Sequence, residues 1–300
     1  MKPIHVAVIG VGSFGRHHVR HLAGHPLVHR VSVVDRDRKR AAQIAAEHGA
    51  QVAPSAIGAD AAIVAVPTEA HAAVALPLLE AGVPVLIEKP IAASDAEACA
   101  LIEAAEASNT LLQVGHIERF SPVMQALRSR VGKASRIDAR RHNPPRRTRI
   151  AADVVLDLMI HDIDLVLGFA RAPLTAVDAF ANDRAGHDAA AARLTFADGL
   201  VADISASRQA AQVERTFTVK NGVATWRGDL ANLSLTELRD GTSVVHAVEP
   251  HDNLGQEIDN FVQAVAGNNA PMVGGEAGAS ALAVANRIRS AVQASLKISA

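Results

Sequence analysis

Ile4-His5-Val6-Ala7-Val8-Ile9-Gly10-Val11-Gly12-Ser13-Phe14-Gly15 is an apolar run that breaks into three glycines at GxGxxG spacing, and a second run, Val31-Ser32-Val33-Val34, ends on Asp35. The stretch reads as a buried strand, a glycine turn, a helix opening at Ser13 and a second strand closed by an acid, together one βαβ unit with a dinucleotide clamp. Gly10 permits the tight turn, Gly12 lets backbone N–H groups approach a pyrophosphate, and Gly15 lets the helix lie close on the strand. Ser13 and Phe14 begin the helix, whose N-terminus adds partial positive charge toward the phosphates. Asp35 is placed to accept hydrogen bonds from both hydroxyls of the adenosine ribose. Its charge repels a 2′-phosphate and favours NAD, while Arg36 and Arg38 are the residues that would turn toward such a phosphate and admit NADP.

The alternation continues outward to residue 118, with helices at 36–48, 69–81 and 95–108 and strands at 61–66, 83–87 and 111–114. Short apolar runs between helical stretches specify an α/β, doubly wound parallel sheet covered on both faces. After the helix start at Ser121-Pro122 the texture changes to short alternating segments broken by turn signals. Segments 192–196 and 200–206 around Asp198-Gly199 read as a hairpin, and 214–219 and 223–227 around Asn221-Gly222 as a second one beside it. With a helix at 154–168 and closing helices at 253–266 and 276–295, this half reads as an α+β domain with an open, mostly antiparallel sheet. The expected division is a dinucleotide-binding Rossmann domain at 1–118 and a substrate-binding and oligomerisation domain at 119–300. An open sheet with one uncovered face predicts burial against a second copy, as a homodimer or homotetramer.

Composition narrows the rest. With 30 basic and 31 acidic side chains, nothing in the total charge points to nucleic acid or an anionic membrane. A single cysteine, Cys99, forms no internal disulfide and suits a reducing compartment. Met1-Lys2-Pro3 runs directly into the first strand without a signal-peptide pattern, and no run of about 18 apolar residues exists, so a soluble cytoplasmic protein is expected. The chain has no tyrosine, which excludes the Tyr-Lys acid/base pair of short-chain dehydrogenases.

Ligands of a doubly wound sheet bind beyond the carboxyl ends of its strands, where this sequence places Pro67-Thr68 with His71, Glu88-Lys89-Pro90 and Gly115-His116. Lys89 there projects into the cofactor crevice, with burial and Glu88 pulling its proton affinity in opposite directions; a solvated lysine is the alternative. Asp157, His161 and Asp164 stand at i, i+4 and i+7 on an otherwise apolar helix, so this stripe faces partners, a metal or a wet cleft. In a catalytic reading Asp157 orients His161, which takes a proton from a substrate alcohol. A structural hydrogen-bond network is the other reading, and metal is disfavoured because no thiol cluster or HExxH accompanies the pair. Arg140, Arg141, Arg146, Arg147 and Arg149 read as a loop ahead of that helix, with Arg119 and Arg208 nearby, and guanidinium forks suit a diphosphate. A solvated basic loop accounts for the same run.

Taken together, the glycine-rich opening, Pro67-Thr68 with His71, Glu88-Lys89-Pro90 and the Asp157 to His161 spacing resemble the glucose-fructose oxidoreductase / inositol dehydrogenase / rhizopine catabolism (Gfo/Idh/MocA) family, over essentially the whole chain. The resemblance implies an NAD(P)-dependent dehydrogenase in which Lys89, Asp157 and His161 surround the carbon that gives up hydride. It also implies cofactor contacts from Gly10, Gly12, Ser13, Phe14, Gly15, Asp35, Arg36, Pro67, Thr68, His71, Glu88, Lys89 and His116. The segments from Val114 to Pro122 and from Asp157 to Asp164 are similar to the family's nucleotide-sugar branch. That likeness implies oxidation of the 3-hydroxyl of a UDP-N-acetylglucosamine-type substrate, with an aminotransferase acting next on the way to lipid A. Glu118, Arg119, Arg146, Arg147 and Arg208 then join Lys89, Asp157 and His161 as substrate contacts. Where many members carry glycines this chain has Val154, Val155 and Met159, and Met159 is expected to narrow the pocket. The competing readings are a dehydrogenase of a free polyol, inositol or sugar, and a non-catalytic dinucleotide-binding sensor, which has no need of a proton relay.

Overall fold

The computed structural model describes residues 3–145, 152–181 and 187–298, and the chain divides by its internal contacts into two units. The first comprises residues 1–117 with 252–280, the second 118–251 with 281–300, so the single cut expected at 118/119 misses the return of 252–280 to the first unit.

The first unit is built on six parallel strands, β1 (Ile4–Ile9), β2 (Val28–Val34), β3 (Gln51–Val52), β4 (Ala61–Val64), β5 (Val85–Glu88) and β6 (Leu112–Gly115), in the order β3-β2-β1-β4-β5-β6. The chain reverses direction across the sheet between β1 and β4, the place where such folds open a ligand crevice. Helices α1 (Gly15–Ala23), α2 (Arg38–His48), α3 (His71–Glu80) and α4 (Asp95–Ala107) cover the sheet. Val6 and Val8 of β1, Ile63 of β4 and Leu86 of β5 have no exposed surface, as a sheet covered on both faces requires. Helix α1 opens at Gly15 rather than Ser13, with Phe14 as its uncapped N-cap residue, 61% exposed. Helix α2 is capped by Asp37, whose side chain accepts from the N–H groups of Lys39 and Arg40, and it ends on Gly49 in the left-handed region.

The second unit includes α5 (Pro122–Arg130), with Ser121 at its N-cap position but no side-chain capping bond, and β7 (Arg136–His142). A turn of π-helix, Val155–Met159, leads into α6 (Ile160–Leu167), so the single α-helix expected over 154–168 is two segments of different pitch. Seven strands follow: β8 (Leu174–Ala181), β9 (Ala189–Phe196), β10 (Val201–Ser207), β11 (Glu214–Lys220), β12 (Thr225–Asp229), β13 (Ser234–Arg239) and β14 (Thr242–His246). They form an eight-stranded sheet in the order β14-β13-β12-β11-β7-β10-β9-β8. Both expected hairpins form, but they are not neighbours: β7 lies between them, parallel to β10 and antiparallel to β11. Arg140 and Arg141, expected in a loop, are strand residues of β7 pointing to opposite faces, the first exposed and the second 4% exposed. One face of the sheet buries Ile137, Leu194, Ile204 and Phe217 against Met159, Ile160, Ile163 and Val166. The other face carries ion pairs at its centre, with Asp203 accepting from both Arg136 and Arg193 and with Arg140 set between Asp138 and Glu214, and exposes Phe180, Leu238 and Val245 toward its edges.

From residue 252 the chain rejoins the first unit as α7 (Asn253–Val265), whose Ile258, Phe261 and Val262 pack with Val8, Val19 and Leu22. His21 of α1 to Asp252 at 3.2 Å and His25, just past α1, to Asp259 at 3.1 Å tie this part of the chain to α7 and its N-cap. The carbonyl of Val273 accepts from Val114 N–H at 2.9 Å, which covers part of the β6 edge. The last helix, α8 (Gly275–Ile298), begins in the first unit and contributes Ala281, Val284, Ala285, Ile288 and Val292 to the core of the second. Among the described residues no helix is long and apolar enough to cross a membrane.

Candidate active site

The turn after β1 is shaped for close backbone approach. Gly10 has φ of 85°, and a Cβ placed on it would lie 2.7 Å from Ala65 O. A Cβ on Gly15 would lie 1.8 Å from Gly10 O, so helix and turn pack with no room for a side chain. Gly12 is the reverse case: a Cβ there meets nothing within 4 Å, which leaves open space above the turn and beside the N-terminus of α1. Asp35 at the end of β2 holds this loop, accepting from Val11 N–H at 2.8 Å and from Asp37 N–H at 2.8 Å. A bare, donor-lined cradle next to a ribose-height carboxylate fits a dinucleotide. Arg36 and Arg38 are exposed, and the cation beside Asp35 is instead Arg40, whose Nε lies 3.6 Å from Asp35 Oδ2. Nothing in a single sequence marks Arg40, because α2 brings it back by one turn.

Pro67, Thr68, Glu88, Lys89 and His116 lie at or just beyond the carboxyl ends of β4, β5 and β6, in the row where ligands of this architecture bind. Lys89 is half-buried, and its peptide bond to Pro90 is cis. Glu88 turns away from the row, with Oε1 2.7 Å from His18 Nε2 and Oε2 accepting from Lys89 N–H at 3.3 Å. His71 is 1% exposed, with Nδ1 2.9 Å from Pro90 O and Nε2 3.0 Å from Val66 O. Through these two carbonyls His71, expected as a cofactor contact, braces the loop after β4 against the loop after β5. Its burial holds the imidazole below the ordinary histidine value. His116 is likewise buried.

In the second unit three acids on and beside α6 are each held by an arginine from a different element. Asp157, in the π turn, accepts from Arg208 Nη2 at 2.8 Å. Asp162 takes a two-pronged contact from Arg141 at 3.0 and 2.9 Å, and Glu118 accepts from the same guanidinium at 2.6 Å. Asp164, 1% exposed, takes a second fork from Arg119 at 2.7 and 2.6 Å. Two forks of this geometry satisfy buried carboxylates that would otherwise be costly. Against the penalty of its own burial, Asp162 and Glu118 hold the Arg141 guanidinium above its ordinary value. His161 sits half-buried between Asp157 and Asp164 in the chain.

These pairings give the residues expected at the substrate partners within the protein. Arg119 and Arg208, expected on a substrate diphosphate, pair with Asp164 and Asp157, and Glu118 pairs with Arg141. Arg146 and Arg147 lie outside the described residues. Met159, expected to narrow the pocket, is fully buried in the core of the second unit. The π turn also shifts the phase of Asp157 relative to α6, so strict α-helical spacing is the wrong ruler for the stripe. Asp153 supports the turn, accepting from the N–H groups of Val155 and Leu156 at 3.0 Å and from Arg289 Nε at 2.7 Å.

A sequence profile for an oxidoreductase family with an NAD-binding Rossmann fold, GFO_IDH_MocA, matches residues 4–116, and one for the GFO/IDH/MocA C-terminal domain matches 125–221. The chain belongs to this oxidoreductase family. Among its Gfo/Idh/MocA relatives, UDP-N-acetylglucosamine 3-dehydrogenase of Acidithiobacillus ferrooxidans is 34% identical over 316 residues, covering 99% of this chain and 100% of that one. The solved structure of that enzyme matches with a TM-score of 0.92, over the same 99% and 100%. Myo-inositol dehydrogenase Hyg17 of Streptomyces leeuwenhoekii is 36% identical over 179 residues, 54% of each chain. A 3-ketoreductase of Actinomadura kijaniata solved with NADP, 20% identical over 97% of this chain and 98% of that one, shares the fold with a TM-score of 0.85. The chain is thus a Gfo/Idh/MocA dehydrogenase of CH–OH groups that uses a nicotinamide dinucleotide.

Proposed function

We propose that this dehydrogenase oxidises the 3-hydroxyl of a UDP-N-acetylglucosamine-type nucleotide sugar to the 3-ketone, with NAD as the preferred cofactor. The observation that carries the reading is the half-buried Asp157, fixed by Arg208 four residues before His161, in a chain 34% identical along its full length to a UDP-N-acetylglucosamine 3-dehydrogenase. His161 takes the hydroxyl proton, Asp157 holds the imidazole, and Lys89 stabilises negative charge on the substrate oxygen. The bound dinucleotide supplies the hydride acceptor, and the protein supplies orientation and the proton path. Asp35 favours the ribose diol of NAD over a 2′-phosphate.

Lys89→Met and His161→Asn are each expected to lower turnover by about two to four orders of magnitude while NAD affinity stays near wild type. Near-normal turnover in both variants rejects the assigned roles. Following nicotinamide absorbance with UDP-N-acetylglucosamine and with myo-inositol tests the substrate. The inositol reading has one observation in its favour, since Arg119 and Arg208 are occupied by carboxylates rather than left for a diphosphate. A higher kcat/KM for myo-inositol selects it. As part of the same proposal the enzyme works in the cytoplasm as a homodimer or homotetramer, and its ketone is the substrate of an aminotransferase.

A further inference from the structure

Glu257 of α7 lies outside every motif that marks the site, yet it is 1% exposed. Its backbone carbonyl accepts from the side chain of Gln113 in β6 at 3.3 Å, and its Oε1 has no hydrogen-bond partner among the described residues. On the neighbouring strand, β5, Glu88 ends against the same interior: its Oε2 stands 3.1 Å from where a side chain on Gly115 of β6 would begin. His18 of α1, with no exposed surface, closes on Glu88 Oε1 at 2.7 Å. Gln113 and Gly115 fall on one face of β6, so Glu257, Glu88 and His18 are enclosed together on that face, beside the strand end that Lys89 follows.

Two buried carboxylates enclosed on one face of the sheet concentrate negative charge in the interior, and a proton on one of them relieves the repulsion between the pair. Hydrogen bonding decides which group carries that proton. Glu88 has His18 and the N–H of Lys89 directed at its oxygens, and donors of this kind stabilise the ionised form. Glu257 Oε1 has none among the described residues. We infer that Glu257 is a neutral carboxylic acid in the working enzyme and acts as a positioning residue, holding Glu88, with His18, so that the backbone of Lys89 is fixed. The inference rests on the reading in which Lys89 acts on the substrate. The proton affinities agree: burial, and then the Glu88 charge, pushes Glu257 well above the ordinary glutamate range, while the His18 contact outweighs burial and holds Glu88 below it. The other titratable groups that face Glu88 are His71 of α3 and Lys89 itself.

The test combines infrared spectroscopy with kinetics on the full-length enzyme. The wild-type minus Glu257→Gln difference spectrum at pH 7 should show the carbonyl stretch of a protonated carboxylic acid. Glu257→Gln, isosteric with the neutral acid, should keep the wild-type kcat and its pH profile. Glu257→Leu, or Glu257→Ala if the leucine variant does not accumulate, should lower kcat by about 10- to 100-fold with KM nearly unchanged. Absence of the band, a Glu257→Gln loss as deep as that of the apolar variants, or wild-type turnover in an apolar variant each overturns the inference. A Lys89→Met enzyme with normal turnover and the band intact instead overturns the role of Lys89.

Discussion

Arg208→Gln removes the cation that holds Asp157, and it should damage catalysis rather than substrate affinity. Arg208 Nη2 donates to Asp157 Oδ2 at 2.8 Å and to Ala152 O at 2.8 Å, while Nη1 donates to His187 O at 3.2 Å. The two side chains are 10% and 25% exposed, an environment between interior and surface. Opposite charges about 4 Å apart attract by about 4 kcal/mol at an effective dielectric of 20. Partial exposure, salt screening and the ordering of a long side chain remove roughly half of that. A coupling of about 2 kcal/mol, about 30-fold in kcat/KM, is therefore expected in a cycle of Arg208→Gln, Asp157→Asn and the double variant. The assay is initial-rate nicotinamide absorbance with UDP-N-acetylglucosamine and NAD at fixed ionic strength. The deficit should fall on kcat, and Arg208→Gln should add little once Asp157 is neutral. A coupling below about 0.5 kcal/mol, or an Arg208 effect confined to KM for the nucleotide sugar, would refute the assignment and return Arg208 to the diphosphate.

Glycine replacements should separate packing from binding: Gly15→Ala, with its Cβ 1.8 Å from Gly10 O, lowers Tm, whereas Gly12→Ala keeps Tm and weakens NAD binding measured by calorimetry. Replacing Asp35 with Ser while leaving Arg40 in place should shift the NADP/NAD ratio of kcat/KM toward NADP by about tenfold or more, because repulsion is removed and a cation remains. Asp164→Asn strips a buried fork of its charge and should cost about 3 kcal/mol in urea unfolding, with Arg119 left unpaired. For Glu257 the folded state binds its proton more tightly than the unfolded chain does, so its contribution is complete below about pH 4.3 and declines as pH rises toward its elevated folded value. The Tm advantage of Glu257→Gln over wild type should therefore grow with pH above that point; a pH-independent difference contradicts it.

The doubly wound half was legible because its elements announce themselves locally. Strands such as Ala61-Ala-Ile-Val64 are uninterrupted apolar runs, and Asp37 and Ser94 are helix caps within three residues of the N–H groups they satisfy. The second unit hid its organising strand. Arg140 and Arg141 open a run of arginines that reads as a loop, yet both belong to β7 (Arg136–His142), with Arg140 on its polar face and Arg141 on the other face neutralised by Asp162 and Glu118. Those partners stand 21 and 23 residues away, and no local pattern links them. The site was half-legible for the same reason: Lys89 and His161 sit at positions with a topological or helical signature, whereas His18, Arg40 and Glu257 take their importance only from neighbours that folding brings to them. The π turn escaped because a five-residue widening leaves no mark on hydrophobic periodicity.

The return of 252–280 has a consequence for anyone who wants the cofactor half alone. Expressed as residues 1–117, it would lack Ile258, Phe261 and Val262 from its core, the Val273 carbonyl along the β6 edge and the ties from His21 and His25. On the ribosome the same half stays unfinished while the entire eight-stranded sheet is being synthesised. A soluble minimal version calls for splicing 252–280 back by a short designed connection, not for truncation.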